Sequence, residues 1–168
     1  MQIFSPGWYL IYTRPRHERK VGLQLAEKNI DFFLPTRSIL KKWHDRKKVI
    51  QEPFFPSYVF VHLKDTHAYY EGLDITGAVG YVRFGKDIAR VSDVVVNNTK
   101  ILVSKMNEIE VSDQYFDPGN KVVIKQGALA GLDCEIVKHK QDQKLLVRIN
   151  LLHRSLLVNL PEENLIAI

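Results

Sequence analysis

The spacing of apolar positions changes near residue 107. Before that point, extended runs rich in aromatic and β-branched residues alternate with stretches of helical spacing, which is typical of a unit that mixes strands and helices. Ser92 is a suitable N-cap for the last of these helices. The predicted order is strand Trp8–Tyr12, helix Pro15–Asn29, strand Phe32–Leu34, a hairpin of Ser38–Trp43 and Lys48–Glu52, strand Ser57–Leu63, helix Thr66–Leu73, strand Val79–Phe84 and helix Asp93–Lys105.

A different pattern follows in the rest of the chain. Residues 107–117 are polar and acidic without a period, which predicts a linker that ends at Asp117-Pro118-Gly119. The next residues alternate with a period of two, and a small barrel is the most economical closure for such a short set of strands, because it removes exposed edges. The predicted domains are residues 1–106, a linker of residues 107–117, and residues 118–168. The predicted strands of the last domain are Lys121–Lys125, Cys134–Lys138, Leu145–Asn150, Leu156–Leu160 and Leu165–Ile168, with a turn at Gly127–Gly131.

Length and composition narrow the classes of protein. The chain has 168 residues, of which 45% are hydrophobic and 26% charged, as in an ordinary folded protein. No apolar run reaches the roughly 18 residues of a membrane span, and residues 1–8 show no signal-peptide pattern. Cys134 is the only cysteine, which favours a reducing compartment. We expect a cytoplasmic protein without a membrane partner.

Positive charge is confined to the N-terminal part. Residues 1–105 carry 17 Lys and Arg against 10 Asp and Glu, a net charge of +7, whereas residues 106–168 carry 7 against 9, a net charge of −2. Clustered positive charge favours phosphate backbones through counterion release, although solvated protein faces have the same composition. The tail lacks this excess, so its expected partner is a protein. Two groups hold the basic residues: a helix-start cluster of Arg14, Arg16, His17, Arg19 and Lys20, and a hairpin cluster of Lys41, Lys42, Arg46, Lys47 and Lys48.

Four segments together carry a family resemblance. The first three resemble the amino-terminal (NGN) domain of NusG-like transcription elongation and antitermination factors, and the fourth resembles the KOW domain that follows it. The resemblance covers nearly the whole chain, and it implies an α+β fold with an antiparallel sheet flanked by helices, then a small SH3-like β-barrel. The segments are Trp8-Tyr9, Phe54-Phe55-Pro56-Ser57-Tyr58-Val59-Phe60-Val61, Gly80-Tyr81-Val82-Arg83-Phe84-Gly85, and Pro118-Gly119-Asn120-Lys121-Val122-Val123-Ile124 with Gly127, Gly131 and Val137.

The chain departs from the family pattern at two positions. Ser57 stands where the family often has glycine, and Ala128 stands where it often has proline. Together with the short length, these departures indicate a specialised, operon-selective factor of the RfaH or capsule-operon (UpxY-like) kind.

The aromatic residues of the strand Ser57–Leu63 suggest a binding surface. Tyr58 and Phe60 point to one face of this strand, whereas its valines point to the other, where they can pack under a helix. The resemblance implies that this region forms an apolar groove for the clamp helices of the largest RNA polymerase subunit, lined by Tyr12, Tyr58 and Phe60. The alternative is that all three are ordinary core aromatics.

The resemblance also implies nucleic-acid and protein partners. Specialised members of the family bind the displaced non-template DNA strand near the start of the first helix, and Arg14 and Lys20 match basic positions there. Thr76 stands where an arginine is common, so no sequence preference follows. The hairpin cluster is expected either to contact upstream DNA or to be solvated. The KOW domain is expected to bind a ribosomal protein, the termination factor Rho, or neither of these, and the chain is expected to act as a monomer.

Nothing in the sequence assembles a catalytic site. The spacing of Gly72 and Gly77 fits a phosphate loop, but Ala78-Val79 follow in place of the required Lys-Ser/Thr. Cys134 lies in an alternating strand and is expected to be a small buried side chain. We therefore expect no enzyme, no metal and no cofactor. Two other classes stay open, a ribosome-associated KOW protein that binds RNA, and an RNA-modifying or hydrolytic enzyme.

Overall fold

The structure is a computed structural model that describes residues 4–160 and the backbone of residues 165–167. It forms two compact units, Met1–Val91 and Ser92–Ile168. The first mixes strands and helices and the second is rich in strands, so the α+β class predicted from the sequence is confirmed. Ile168, the last residue of the predicted strand Leu165–Ile168, lies outside the described residues.

The first unit is built on an antiparallel sheet. Its strands follow the order β2-β5-β1-β6, and β9 also pairs with β1. Two short ribbons, β3–β4 and β7–β8, stand apart from this sheet. The elements are β1 (Gly7–Thr13), α1 (Glu18–Glu27), β2 (Asp31–Phe33), β3 (Thr36–Lys42), β4 (Lys47–Pro53), β5 (Tyr58–Leu63), α2 (Thr66–Leu73), β6 (Ala78–Tyr81), β7 (Arg83–Phe84), β8 (Asp87–Ile88) and β9 (Arg90–Val91).

The valine side of β5 forms the core of the first unit. Val59 and Val61 are fully buried, and they cluster with Val21 and Leu25 of α1. Burial of such side chains contributes roughly 1.5–3 kcal/mol each. The prediction that this side of the strand packs under a helix is confirmed.

The helix α1 begins three residues later than predicted. Pro15 is not its first residue, because Arg14–His17 form a turn in which the His17 N–H donates to the Arg14 carbonyl at 3.1 Å. Pro15 at the second position and a φ of +65° at Arg16 are the features of a type II turn. Glu18 then occupies the first turn of α1, where its negative charge suits the helix dipole.

The second unit consists of one helix and a six-stranded antiparallel sheet in its described part. The strand order is β10-β14-β13-β12-β11-β15. Leu145, Leu146 and Val147 are consecutive and all buried, so β13 is covered on both faces. This strand-rich unit is consistent with the expected KOW domain. The elements are α3 (Asp93–Lys105), β10 (Glu110–Ser112), β11 (Asn120–Ile124), β12 (Asp133–His139), β13 (Asp142–Ile149), a 3-10 turn (Asn150–Leu152), β14 (Arg154–Asn159) and β15 (Leu165–Ala167).

The segment predicted as a linker contains a strand. Within residues 107–117, β10 pairs with β14 in the register Glu110↔Leu157 to Ser112↔Ser155. Ile109 and Phe116 on either side of it are buried, and Phe116 clusters with Val137, Leu146 and Leu157. Isolated apolar residues among polar ones gave no period, so the sequence pattern concealed this pairing.

The helix α3 packs with the second unit rather than the first. Asn98, which is buried, donates from Nδ2 to the Asp133 carbonyl at 2.5 Å and accepts from the Asp133 N–H at 3.0 Å. Ser92 is the N-cap residue, as predicted, but its side chain makes no capping hydrogen bond. The domain limits of 1–106, 107–117 and 118–168 stay a prediction, and the compact units divide between Val91 and Ser92.

Candidate functional site

Two of the three predicted polymerase-binding residues meet at one end of the first sheet. Tyr12 and Tyr58 lie opposite each other in the pair β1–β5, and their ring centroids are 5.4 Å apart. Tyr12 is 42% exposed and Tyr58 is half-buried. Gly80 lies opposite Tyr12 on β6, and a Cβ added there would meet no atom within 4 Å. The two tyrosines therefore border an open surface.

The third residue, Phe60, lies inside the protein. Its side chain is fully buried, and its ring centroid is 5.7 Å from that of Phe33 and 6.1 Å from that of Phe55. Phe60 therefore offers no exposed surface in this structure, and it packs beside Phe33 and Phe55 on the face of β5 that also carries Tyr58. The alternation pattern gave no sign of its depth. The sequence held one signal for this burial, the pair Phe54-Phe55 between two prolines, because the Phe55 ring contacts Phe60.

A strained turn leads into the strand that carries Tyr58. The Tyr58 N–H donates to the Phe55 carbonyl at 3.1 Å, with Pro56 at the second position and a φ of +68° at Ser57. These are the features of a type II turn, whose third position favours glycine. The buried carboxylate of Glu18 accepts a hydrogen bond from the Ser57 N–H at 2.6 Å, which ties the start of α1 to this turn.

The helix-start cluster is exposed except for one member. Arg14, Arg16, Arg19 and Lys20 are exposed. His17 is half-buried, its Nδ1 lies 3.0 Å from the Pro15 carbonyl oxygen, and a Cβ on Gly77 would lie 2.9 Å from its Cδ2.

The loop around Thr76 borders the same cluster. The Arg14 N–H donates to the Gly77 carbonyl at 2.9 Å. Gln24 of α1 exchanges two hydrogen bonds with the Thr76 backbone, at 3.0 and 3.2 Å. Thr76 therefore lies beside the helix-start cluster, at the position where the family resemblance implies an arginine.

The hairpin cluster lies on the ribbon β3–β4. Its lysines face one another across the strands as the pairs Lys41↔Lys48 and Lys42↔Lys47, and all four are exposed. Beyond them, the Arg46 guanidinium lies 5.1 Å from the centre of the Trp43 ring. Trp43 is a site residue that the sequence predictions missed, although an aromatic residue inside a basic cluster is a signal for one.

The second unit carries an acidic residue with several basic partners. Glu110 of β10 accepts hydrogen bonds from the buried His139 at 3.0 Å and from Lys144 at 3.3 Å, and Lys140 lies 3.7 Å away. Burial favours the neutral acid, but the hydrogen bonds from His139 and Lys144, with the charges around them, lower the pKa of Glu110 below its ordinary value. These contacts attach β10 to the strands β12 and β13.

Cys134 is buried on β12, as expected. Burial, with the nearby charges of Asp133 and Glu135, raises the pKa of its thiol to about 12. Within the described residues, no three His, Cys, Asp or Glu side chains gather as metal ligands. No helix in the described part has the length and apolar character needed to cross a membrane.

The fold and these surfaces define an α+β protein of two units, the first of which presents a tyrosine pair and two basic clusters. The model of the family described as transcription termination factor nusG matches residues 6–100, which is more than half of the chain. The chain therefore belongs to the NusG family of transcription factors. The family resemblance predicted from the sequence is confirmed, whereas the specialised kind stays a prediction.

Relatives of similar length support the assignment. The transcription termination/antitermination protein NusG of Lactococcus lactis subsp. lactis (strain IL1403) is 25% identical over 169 residues, which cover 94% of this chain and 90% of that protein. The protein of the same name from Streptococcus pyogenes serotype M1 is 24% identical, over 86% of this chain and 87% of its own.

A solved structure shares the fold. The structure described as domain interaction in Thermotoga maritima NusG aligns with a TM-score of 0.53 and 21% identity, over 92% of this chain and 94% of the other. At this identity the likeness concerns the fold alone.

Proposed function

We propose that this chain is a transcription elongation and antitermination factor that binds RNA polymerase through its tyrosine pair and nucleic acid through its basic clusters. Membership of the NusG family supports the general role in transcription elongation. The proposal includes no catalytic step, and it assigns the protein to the cytoplasm, where its partners are.

The observation that carries the proposal is the pair of Tyr12, which is exposed, and Tyr58, which is half-buried. Their rings contact each other on neighbouring strands of a sheet whose opposite face is a packed core. Tyrosine supplies a large contact area at low cost in side-chain entropy, and rigid aromatic anchors are typical hot spots of interfaces. We propose that this pair contacts the clamp helices of the largest polymerase subunit, with the buried Phe60 holding the neighbouring part of β5 in place through Phe33 and Phe55.

The basic clusters support a second contact in the elongation complex. The four exposed residues of the helix-start cluster and the lysines of the hairpin cluster give the first part of the chain its excess positive charge. Each contact with a phosphate releases counterions and strengthens binding at low salt. We propose that Arg14, Arg16 and Lys20 bind the displaced non-template strand, with His17 contributing to the shape of this surface.

The second unit has the opposite charge balance, which argues for a protein partner. Residues 92–168 carry 9 Lys and Arg against 10 Asp and Glu, a net charge of −1, and a domain that binds ribosomal RNA is expected to be basic. We propose that this KOW-like unit recruits a ribosomal protein or Rho to the polymerase. The specialised, operon-selective role belongs to the same proposal.

A binding titration with core RNA polymerase tests the main contact. Tyr58→Ala removes one ring of the pair and is expected to weaken binding by about 2 kcal/mol, which is roughly 30-fold. Tyr70→Ala is the matched control, because Tyr70 is 64% exposed in the same unit and lies on α2, outside the pair. Phe60→Ala is unsuitable as a test, because loss of a buried phenylalanine typically destabilises the fold by about 3–5 kcal/mol.

Thermal melting of each variant separates binding from folding. Tyr58→Ala is expected to melt close to the unsubstituted protein, since the valine core is unchanged. Equal polymerase affinity of the Tyr58 and Tyr70 variants, or no binding by the unsubstituted protein, would contradict the proposed contact.

A further inference from the structure

The tip of the β3–β4 ribbon presents an exposed tryptophan next to positive charge. Trp43 is 53% exposed, and the Arg46 guanidinium lies 5.1 Å from its ring centre. The Trp43 N–H donates to the Arg46 carbonyl at 2.8 Å, so these two residues close the ladder and His44-Asp45 form the turn. Part of the indole surface is thus covered by a cation, and more than half of the residue's surface is open to a ligand.

The positive charges at this tip destabilise the pairing of β3 with β4. Lys41 faces Lys48 and Lys42 faces Lys47, and like charges directly opposite each other destabilise an antiparallel pair. No ion pair joins any of these four lysines to a carboxylate of the described residues. Residues 41–48 carry five basic side chains and one acidic side chain, a net charge of +4. An anionic ligand would relieve this repulsion.

Side chains alternate between the two faces of the ribbon, and this places the Trp43 ring and some of the cations on the same face. Trp43 directly follows β3, and Lys41 lies two residues before it, so in extended backbone their side chains point to the same face, about 7 Å apart along the chain. Lys48 of β4 pairs with Lys41, and the Arg46 carbonyl just before β4 accepts from the Trp43 N–H, so Lys48 and Arg46 lie on the same side as the ring. One face of the ribbon therefore combines an aromatic ring with three cations.

We propose that Trp43 stacks on an unpaired base of a single-stranded nucleic acid, while Lys41 and Lys48 bind the phosphates beside it. This inference rests on the proposed function, in which the hairpin cluster binds nucleic acid, and it specifies the ligand as a strand with free bases. In a duplex the faces of the bases are stacked on their neighbours, so the tip could reach only the backbone. In a single strand the indole can cover a base face, as aromatic side chains do in proteins that bind single strands.

Tryptophan fluorescence of the full-length chain gives a direct readout. The chain has two tryptophans, Trp8 in β1 and Trp43 at the tip. Oligothymidine and oligouridine of about ten nucleotides are the probes, and their dissociation constants identify whether the tip favours DNA or RNA. A duplex and an abasic strand of the same length are the comparison ligands. Stacking on Trp43 is expected to quench fluorescence with the single strands and not with the duplex or the abasic strand.

Three sets of variants separate stacking from charge. Trp43→Ala is expected to weaken binding of oligothymidine on the order of tenfold and to leave binding of the abasic strand unchanged. Trp43→Phe keeps a ring, so it is expected to keep most of the affinity while the quenching disappears. The double variant Lys41→Ala, Lys48→Ala is expected to weaken binding of both the oligothymidine and the abasic strand. The slope of log affinity against log salt concentration should fall by roughly 0.7 for each phosphate that is no longer bound. Leu40→Ala, which removes a 54% exposed apolar side chain from the ribbon, is the control and is expected to change nothing.

The outcomes distinguish this inference from the function on which it rests. If Trp43→Ala weakens binding of the abasic strand as much as binding of oligothymidine, or changes neither affinity, then the ring acts only within the ribbon and stacking is refuted. Binding and quenching by the duplex equal to those of the single strand would refute the preference for free bases. If the unsubstituted protein binds none of the nucleic acids, the nucleic-acid part of the proposed function fails, and this inference fails with it.

Discussion

Replacement of Ser57 by glycine is expected to stabilise the first unit. Ser57 has a φ of +68° in the turn before β5, and the buried Glu18 and the Thr13 N–H both bond its backbone, which holds it in this conformation. No hydrogen bond of the Ser57 side chain occurs among the described residues. Glycine adopts the left-handed region without steric cost, so the substitution removes strain and breaks no contact of the turn.

The size of the effect follows from two opposing contributions. A non-glycine residue in the left-handed region costs roughly 1–2 kcal/mol. Glycine loses more backbone entropy on folding, which offsets about 0.5–1 kcal/mol of the gain. The expected net stabilisation of Ser57→Gly is therefore on the order of 0.5–1 kcal/mol. With a urea m-value of about 1.5 kcal/mol/M, the unfolding midpoint rises by roughly 0.5 M.

Urea unfolding of the full chain followed by tryptophan fluorescence is a suitable assay. Both tryptophans, Trp8 and Trp43, lie within the unit Met1–Val91, so the signal reports that unit. Ser57→Ala is the matched control, because it removes the same hydroxyl and keeps a Cβ in the strained position. A midpoint for Ser57→Gly at or below that of Ser57→Ala would refute the argument from backbone strain.

Three further outcomes concern the second unit. The pKa of Glu110 lies below its ordinary value of 4.5 in the folded state, so its stabilising contribution is present above that value and is lost as the pH falls through the lowered pKa. Acid unfolding followed by circular dichroism should become less steep in Glu110→Gln, and an unchanged profile contradicts the assignment. Cys134, with a thiol pKa of about 12, should resist alkylation near neutral pH until urea unfolds the chain, as mass spectrometry can establish. Asn98→Ala removes the two hydrogen bonds that the buried Asn98 side chain makes with the Asp133 backbone and should cost on the order of 2–3 kcal/mol in urea unfolding, whereas Asn97→Ala at the neighbouring exposed position should cost less than about 1 kcal/mol.

Local patterns predicted the helices and strands well where one face of an element is apolar. The helices Thr66–Leu73 and Asp93–Lys105 have the predicted limits, and α2 is capped by Asp65, which accepts from the Ala68 N–H at 2.8 Å. The buried face of α3 was predicted less well. The apolar Val94 is 50% exposed, whereas the polar Asn98 is buried. Its partner is a backbone 35 residues further along the chain, which no local pattern contains.

The same limit applies to the candidate site. Alternation along β5 grouped Tyr58 with Phe60, and the basic clusters were evident from the sequence, because each depends on neighbours in the chain. The burial of Phe60 depends on Phe33 and Phe55, which reach it through sheet pairing and through a turn. The displacement of Pro15 from α1 depends on a left-handed residue, Arg16, and arginine carries no preference for that conformation.

The pairing of β10 with β14 decides where the chain can be cut. A fragment that starts at Pro118 would lack Ile109 and Phe116, and it would leave the apolar surfaces of Val137, Leu146 and Leu157 facing water. Such a fragment is expected to self-associate, and its spectra would report this damage instead of the native unit. A fragment that starts at Ser92 retains α3, β10 and the bonds of Asn98, so it is the minimal piece in which partners of the KOW-like unit can be sought.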